Sequence, residues 1–369
     1  MRIGKRTEVC AVEVDFSGFY GNEALCAALS ARIRTNTASH AYCIEGPEGS
    51  GRKTLAFLLA AALSCEDETR VPCGRCSACR KIFNRQSPDL YTLGFPEEDG
   101  TRKTKTIGVD AVRSLREDVY IRPNDLERKL YIIDRADTMT VQAQNALLKI
   151  LEEPPETVTF FLICENRFAL LPTVRSRVQT LCMERFSDEK LRGLLLAHED
   201  GARALEKKKP ERLSLFVRLA DGAYGQALWY LNAQPKALSE NPAYDAHESA
   251  ERCLACLFPG EDEPLSGGKT ALLGLLMKCA DTRDRMRGLL DMLCAAVRDL
   301  TACVMEEEPG NLLFFADRER AFSVASLCDA RRLWEVYREL SRLRATVDAN
   351  PNAALLQNGV TTALNRLKN

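Results

Sequence analysis

The first half of the chain alternates short, nearly continuous apolar runs with segments whose apolar residues recur at helical spacing. The apolar runs lie at residues 41–44, 129–133 and 158–164, and the helical spacing at 55–62 and 143–151. Near-continuous apolar runs are typical of strands buried in a parallel sheet. Thr140 is a candidate N-cap of the second helix. Alternating strands and helices predict an α/β domain with a doubly wound parallel sheet.

After residue 186 the strand patterns disappear. Residues 187–242 carry short helical patterns broken by glycine and proline, and a polar stretch at 235–245 indicates a linker. Beyond it, broad apolar stripes at 286–300 and 333–343 predict longer helices. We therefore predict three domains, an α/β domain at 1–186, a small helical domain at 187–242 and an all-α domain at 243–369.

Composition narrows the possible classes of function. The chain has 369 residues, of which 46% are hydrophobic and 28% charged, as in ordinary globular proteins. Its formal net charge of -1 provides no general attraction to nucleic acid, so a DNA contact would need a local patch. No apolar run approaches the roughly 20 residues of a membrane helix. The N-terminus has no recognisable signal peptide, so we expect a cytoplasmic protein without a membrane partner.

A degenerate phosphate-binding loop follows the first predicted strand. Gly46, Gly49 and Gly51 fit the glycine-rich turn of a P-loop, G-x-x-x-x-G-K-[ST]. However, Arg52 occupies the lysine position and Lys53 the position of the hydroxyl that binds Mg²⁺. Thr54 comes one residue late, and an ammonium group cannot ligate a metal cation. The sequence is compatible with a glycine turn that binds no ligand and with a site that still binds phosphate, but it argues against ATP hydrolysis.

The second predicted strand ends in an acidic residue, as a nucleotide-binding core does. Asp134 could hold Mg²⁺ through water and completes the candidate nucleotide site with Gly46, Gly49, Gly51, Arg52 and Thr54. Arg135 stands where an ATPase of this class carries the glutamate that activates water. Because a cation cannot accept a proton from water, this position also argues against hydrolysis.

Four of the fifteen cysteines form a cluster with metal-ligand spacing. Cys65, Cys73, Cys76 and Cys79 give C-x7-C-x2-C-x2-C within residues 65–79. Four thiolates form a closed tetrahedral site for structural Zn²⁺. An iron–sulfur run is the competing interpretation, but it lacks a cysteine three residues after Cys79 followed by proline. We predict a structural zinc knuckle that has no catalytic role.

Taken together, these motifs resemble the clamp-loader branch of the AAA+ proteins, most densely from Phe16 to about Phe186. The resemblance rests on the segments 16–23, 40–42, 46–51 and 145–155, on the inserted cysteines, and on Val174-Arg175-Ser176-Arg177-Val178. The last segment matches the family's Ser-Arg-Cys motif except at Val178. The resemblance implies a P-loop AAA+ domain with an inserted zinc knuckle, a helical lid domain and a helical collar domain.

The resemblance also implies roles for individual residues. Arg177 corresponds to the arginine finger that projects into the ATP site of a neighbouring subunit, and Arg175 is a weaker candidate. The polar sensor residue after the 158–164 strand is ambiguous among Cys164, Glu165 and Asn166. In the lid, Gly225 stands where ATPase members carry a sensor arginine.

These features predict a non-hydrolysing clamp-loader subunit that supplies Arg177 to the ATP site of its neighbour. The implied partners are the gamma/tau and delta subunits of the bacterial DNA polymerase III clamp loader and, through the complex, the sliding clamp and primer–template DNA. One alternative is an ATP-hydrolysing motor subunit of the gamma/tau type. Another is a zinc-knuckle nucleic-acid binder with a vestigial core, although few positive charges surround the cysteines.

Overall fold

A computed structural model describes residues 13–95, 106–259, 269–306, 312–347 and 352–367. Residues 1–12, on which the expected lack of a signal peptide depends, lie outside the described residues. The chain divides into two compact units. Unit 1 comprises Met1–Leu194 and Gly222–Gln226, and unit 2 comprises Leu195–Asp221 and Ala227–Asn369.

Unit 1 is an α/β structure. Its strands are β1 (Glu13–Val14), β2 (Ala41–Glu45), β3 (Arg70–Val71), β4 (Leu90–Leu93), β5 (Lys129–Ile133), β6 (Val158–Cys164) and β7 (Gln179–Cys182). Its helices are α1 (Glu23–Arg34), α2 (Arg52–Leu63), α3 (Ser77–Phe83), α4 (Val109–Val119), α5 (Val141–Glu152) and α6 (Pro172–Arg175). Short 3-10 turns cover Ala136–Thr138 and Arg167–Ala169. The helix α7 (Asp188–His198) follows.

The main sheet has five parallel strands in the order β4-β5-β6-β2-β7. Alternate residues of its central strands enter two separate cores, with Ile44 and Phe161 on one face and Cys43 and Phe160 on the other. Helix α2 covers the first face through residues such as Leu55, while α4 and α5 cover the second. The predicted α/β fold with a parallel sheet is therefore confirmed.

The predicted strands and helices of this region agree closely with the observed ones. β5 and β6 have the predicted bounds, and β2 extends one residue further, to Glu45. The Thr140 side chain accepts a hydrogen bond from the backbone N–H of Ala143 at 3.2 Å, so it caps α5 as predicted. Because β2 lies between β6 and β7 and runs directly into Gly46, the glycine-rich loop emerges at the carboxyl edge of the sheet.

Unit 2 is helical in its described residues. After the end of α7, its helices are α8 (Asp200–Lys208), α9 (Pro210–Leu219), α10 (Tyr224–Asn232), α11 (Pro235–Glu240), α12 (Pro242–Leu257), α13 (Lys269–Cys279), α14 (Arg283–Met305), α15 (Arg318–Ala325), α16 (Ala330–Thr346) and α17 (Ala353–Asn365). The first residues of α10, up to Gln226, belong to unit 1. The apolar stripe predicted at 286–300 forms the buried face of α14. In the stripe predicted at 333–343, Leu333, Val336, Leu340 and Leu343 are buried on α16, whereas Trp334 and Tyr337 are exposed. Among the described residues, no helix is both long and apolar enough to span a bilayer.

The linker predicted at 235–245 is wrong, because this stretch forms α11 and the start of α12. Pro235 and Pro242 stand in the first turn of these helices, where a missing N–H costs nothing. Asn241 caps α12 and also accepts a hydrogen bond from the Tyr230 hydroxyl at 3.1 Å. Leu238 packs with Phe216 and Tyr230. The packing of Leu238 and the cap formed by Asn241 thus order a stretch whose sequence is mostly polar.

Candidate functional site

The phosphate-loop candidate is a tight turn between β2 and α2. Gly49 and Gly51 have φ values of 78° and 90°, which lie in the left-handed region that favours glycine. Gly51 occupies the N-cap position of α2. A Cβ atom at Gly46 would lie 2.6 Å from the Met183 side chain and 2.8 Å from Ser50 Oγ. The glycine pattern therefore reflects both backbone conformation and close packing.

Two ion pairs connect Arg52 and Lys53 to residues that directly follow β6 and β5. Lys53 Nζ lies 2.7 Å from Asp134 Oδ2, and Arg52 lies 3.5 Å from the Glu165 carboxylate. The side chain of Asp134 is only 4% exposed, whereas that of Lys53 is 41% exposed. Thr54 is exposed on α2. The structure thus brings Arg52, Lys53 and Asp134 together, and the ammonium group lies beside the carboxylate that would attract a metal ion.

Arg135 follows Asp134 at the end of β5 and has a left-handed backbone, with φ 55°. It begins the 3-10 turn at Ala136–Thr138. The residue that follows Asp134 is thus a cation, which cannot act as a base.

The three sensor candidates after β6 have different environments. Cys164 is buried, with its Sγ atom 3.5 Å from that of Cys43. Asn166 accepts a hydrogen bond from the Phe168 N–H at 2.9 Å and caps a 3-10 turn. Glu165 is the residue that contacts the phosphate-loop helix, through Arg52. An anionic carboxylate at this position opposes the binding of a phosphate.

The segment around Gly225 packs directly on the phosphate loop. The Gly225 N–H donates a hydrogen bond to the Gly49 carbonyl oxygen at 2.8 Å. A Cβ atom at Gly225 would lie 2.7 Å from that oxygen, and one at Gly49 would lie 2.5 Å from the backbone nitrogen of Gln226. Both positions therefore need glycine for this close backbone approach.

Arg177 lies in the turn between α6 and β7. Its NH1 group donates to the Thr173 carbonyl oxygen at 3.0 Å and to Ser176 Oγ at 3.3 Å, and its NH2 group lies 2.8 Å from Glu152. Its side chain is 35% exposed. Because β7 is parallel to β2, a residue just before β7 lies at the amino edge of the sheet, away from the phosphate loop. The neighbouring Arg175 stacks over the Phe168 ring at 5.0 Å.

The four predicted cysteine ligands meet between α2 and α3. The sulfur atoms of Cys65, Cys73, Cys76 and Cys79 lie within 4.8 Å of one another. Successive backbone N–H groups donate to these sulfurs: Cys73 N to Cys65 Sγ at 3.4 Å, Cys76 N to Cys73 Sγ at 3.3 Å, and Cys79 N to Cys76 Sγ at 3.3 Å. Such donors stabilise thiolates and orient metal ligands. The cluster has the donor set and the spacing to hold a metal ion.

Comparisons with known proteins agree with the clamp-loader resemblance. Residues 21–187 match the model of a family described as DNA polymerase III, delta subunit. The delta' subunit of Bacillus subtilis DNA polymerase III is 38% identical over 149 residues, covering 40% of this chain and 43% of the relative. The tau subunit of the same organism is 31% identical over 221 residues, covering 59% of this chain and 37% of the relative.

Over these matched parts, the chain is homologous to subunits of bacterial DNA polymerase III. The Escherichia coli tau subunit is similarly 33% identical over 222 residues, which cover 58% of this chain and 32% of the relative. The matched parts span less than half the length of these relatives.

Among solved structures, a Thermotoga maritima gamma subunit-related protein matches with a TM-score of 0.40 at 19% identity, covering 92% of this chain and 99% of that one. The Bacillus subtilis DNA clamp loader delta protein matches with a TM-score of 0.33 at 12% identity, covering 93% and 99%.

Four contacts of the site did not follow from the sequence. Lys53 pairs with Asp134, Glu165 pairs with Arg52, Glu152 pairs with Arg177, and the backbone of Gly225 contacts that of Gly49. Glu152 lies in a segment that carries the family resemblance, but its partner is fixed only by the fold. The sequence shows that position 225 is not an arginine, but it does not show that the backbone of Gly225 contacts that of Gly49.

Proposed function

We propose that this chain is a non-hydrolysing clamp-loader subunit of the delta' type, which supplies Arg177 to the ATP site of a neighbouring gamma/tau-type subunit. The family match of residues 21–187 and the similarity of the chain to delta' and tau subunits support a clamp-loader role. The choice of a non-hydrolysing subunit rests on the chemistry of the phosphate loop and of the residues around it.

The charge pattern of the loop argues against turnover of ATP. Lys53 places its ammonium group 2.7 Å from Asp134, where it competes with Mg²⁺ for the carboxylate. Arg135 cannot activate water, and the Glu165 carboxylate beside Arg52 repels a phosphate. Magnesium bridging and a positioned water are the main contributions of the protein to phosphoryl transfer, so both are compromised here.

The proposal that Arg177 acts on a neighbouring subunit rests on its position in the sheet. Arg177 precedes β7, whereas the phosphate loop follows β2, and the two strands are parallel neighbours. Arg177 and the phosphate loop therefore lie at opposite ends of these strands, and the four residues of β7 separate them by about 13 Å. An arginine there is too far from the loop of its own chain to reach a phosphate bound by it, which supports a role at the ATP site of another subunit. A guanidinium supplied in trans stabilises charge on the transferred phosphoryl group.

The proposed partners are the gamma/tau and delta subunits, with the sliding clamp and primer–template DNA reached through the complex. We assign residues 1–186 to an AAA+ domain, 187–242 to a lid and 243–369 to a collar that joins the subunits. We further assign structural Zn²⁺ to the four cysteines, because thiolates bind Zn²⁺ at about 2.3 Å in tetrahedral sites. With four protein ligands, that ion would have no open position for catalysis.

The test is the ATPase activity of the isolated chain and of the reconstituted complex. The isolated chain is expected to show no Mg²⁺-dependent hydrolysis. In the complex with its gamma/tau and delta partners, Arg177→Ala should lower kcat about tenfold or more, while gel filtration shows an intact assembly. Arg177→Lys should restore little, since lysine lacks the planar fork. Unchanged turnover by the Arg177→Ala complex would refute the proposal.

The second candidate function is an ATP-hydrolysing motor subunit, which the similarity to tau subunits favours. It requires Arg52 and Lys53 to be tolerated in the phosphate loop. Robust Mg²⁺-dependent hydrolysis by the isolated chain, abolished by Asp134→Asn, would support it over the non-hydrolysing role.

A further inference from the structure

The carboxylate that holds Arg177 lies at an unfavourable place on its helix. Glu152 is the last residue of α5, and Glu153 follows it as the C-cap. Acidic side chains at a helix C-terminus face the negative end of the helix dipole. The guanidinium of Arg177, 2.8 Å away, offsets this repulsion for Glu152. The helix end therefore forms a local negative potential that attracts the arginine to one place.

The contacts of Arg177 fix one side of its guanidinium. The Thr173 carbonyl and Ser176 Oγ accept hydrogen bonds from NH1, and the Glu152 carboxylate forms an ion pair with NH2 at 2.8 Å. Both hydrogen bonds come from NH1, which carries two of the five N–H groups of an arginine. The remaining donors and the 35% exposure of the side chain leave part of the fork for a phosphate. The arrangement orients the group without enclosing it.

We propose that Glu152 is a positioning residue for Arg177, which holds the guanidinium ready for the phosphate of the neighbouring subunit. This inference rests on the function proposed above. The side chains of Glu152 and Arg177 are 49% and 35% exposed, and a pair of that exposure changes an equilibrium by no more than about fivefold. A contact that weak cannot withhold an arginine from a magnesium-bound triphosphate. It can, however, favour one rotamer of a long and flexible side chain, so it positions the group and does not sequester it.

The test compares Glu152→Gln with the matched control Glu153→Gln in the reconstituted complex. Both variants remove one charge at the same helix end, but Glu153 is exposed and forms no ion pair within the described residues. Glu152→Gln should lower kcat about two- to fivefold with KM unchanged, and Glu153→Gln should leave both constants unchanged. Glu152→Asp, which keeps the charge on a shorter side chain, should give an intermediate kcat and covers the case in which the glutamine variant folds poorly.

A double variant separates positioning from a structural role. In the Arg177→Ala background, Glu152→Gln should have no further effect on kcat, because the group it positions is gone. An equal fall in both backgrounds would overturn the inference, as would an unchanged or higher kcat for Glu152→Gln in a complex that responds to Arg177→Ala. If Arg177→Ala itself has no effect, the proposed function fails and this inference fails with it.

Discussion

Lys53 Nζ lies 2.7 Å from Asp134 Oδ2, and the carboxylate of this pair is buried while the lysine reaches solvent. Lys53 stands at the hydroxyl position of the P-loop pattern, so it places a positive charge beside this buried carboxylate. Because the carboxylate is buried, the pair has consequences for stability that can be measured on the isolated chain.

Lys53→Met should destabilise the chain, because Asp134 then loses its ammonium partner while remaining buried. We expect the free energy of unfolding to fall by about 1–3 kcal/mol, measured by urea denaturation. Lys81→Met is the control, since the Lys81–Asp125 pair has an exposed carboxylate (37%) and should cost less than about 1 kcal/mol. Adding Asp134→Asn to Lys53→Met should recover part of the loss. Equal effects of Lys53→Met and Lys81→Met would contradict this interpretation.

Gly225→Ala should also be destabilising, because its Cβ atom would lie 2.7 Å from the Gly49 carbonyl oxygen. That oxygen belongs to the backbone and cannot move aside cheaply, so we expect a loss of about 1–3 kcal/mol. Gly201→Ala is the matched control: it lies in α8, with open space around its Cβ position, and should stabilise by up to about 1 kcal/mol. Thermal midpoints of the two variants should therefore shift in opposite directions.

Cys76→Ser should remove metal from the cysteine cluster. The purified chain is expected to contain one zinc ion, and the variant should contain well under half of that by elemental analysis. Cys26→Ser, in α1 and outside the cluster, should retain the full amount. A chain that carries no zinc, or that carries it equally in the Cys76→Ser variant, would exclude this site.

His247 should make stability fall as the pH drops below neutrality. Burial lowers the pKa of His247, and its Nε2 atom lies 3.2 Å from the Phe314 carbonyl oxygen. Above the unfolded-state pKa of about 6.5 the ring is neutral in both states, so it contributes no pH dependence. Below that value the unfolded chain binds the proton more readily, which favours unfolding.

Urea denaturation at pH 7.5 and pH 5.5 measures this effect, with His247→Gln as the comparison. The variant should lose less stability over this interval than the natural chain. Parallel curves for the two proteins would mean that another group controls the dependence.

The sequence predicted the centre of the sheet better than its edges. β2, β5 and β6 are continuous apolar runs because both faces of these strands are buried. β4 and β7 were not predicted, since each has four residues and is only partly buried at the edge of the sheet. Their short, mixed patterns carry little signal for a strand buried on both faces.

The candidate site shows the same limit. Motif spacing indicated which residues form the loop and the cysteine cluster, because those groups are local in sequence. The partners of Lys53, Arg52 and Arg177 come from other strands and helices, so residue type alone could not identify them. The backbone contact of Gly225 with Gly49 depends on the path of the chain and leaves no pattern in side chains.

The hydrogen bond between Gly225 and Gly49 also has a consequence for redesigning the loop. A side chain at position 225 would place its Cβ atom 2.7 Å from the Gly49 carbonyl oxygen, so the backbone there would have to shift before an arginine could fit. Replacing Lys53 alone would leave this contact in place. Engineering a hydrolytic site into this chain would therefore take a new backbone path as well as new side chains.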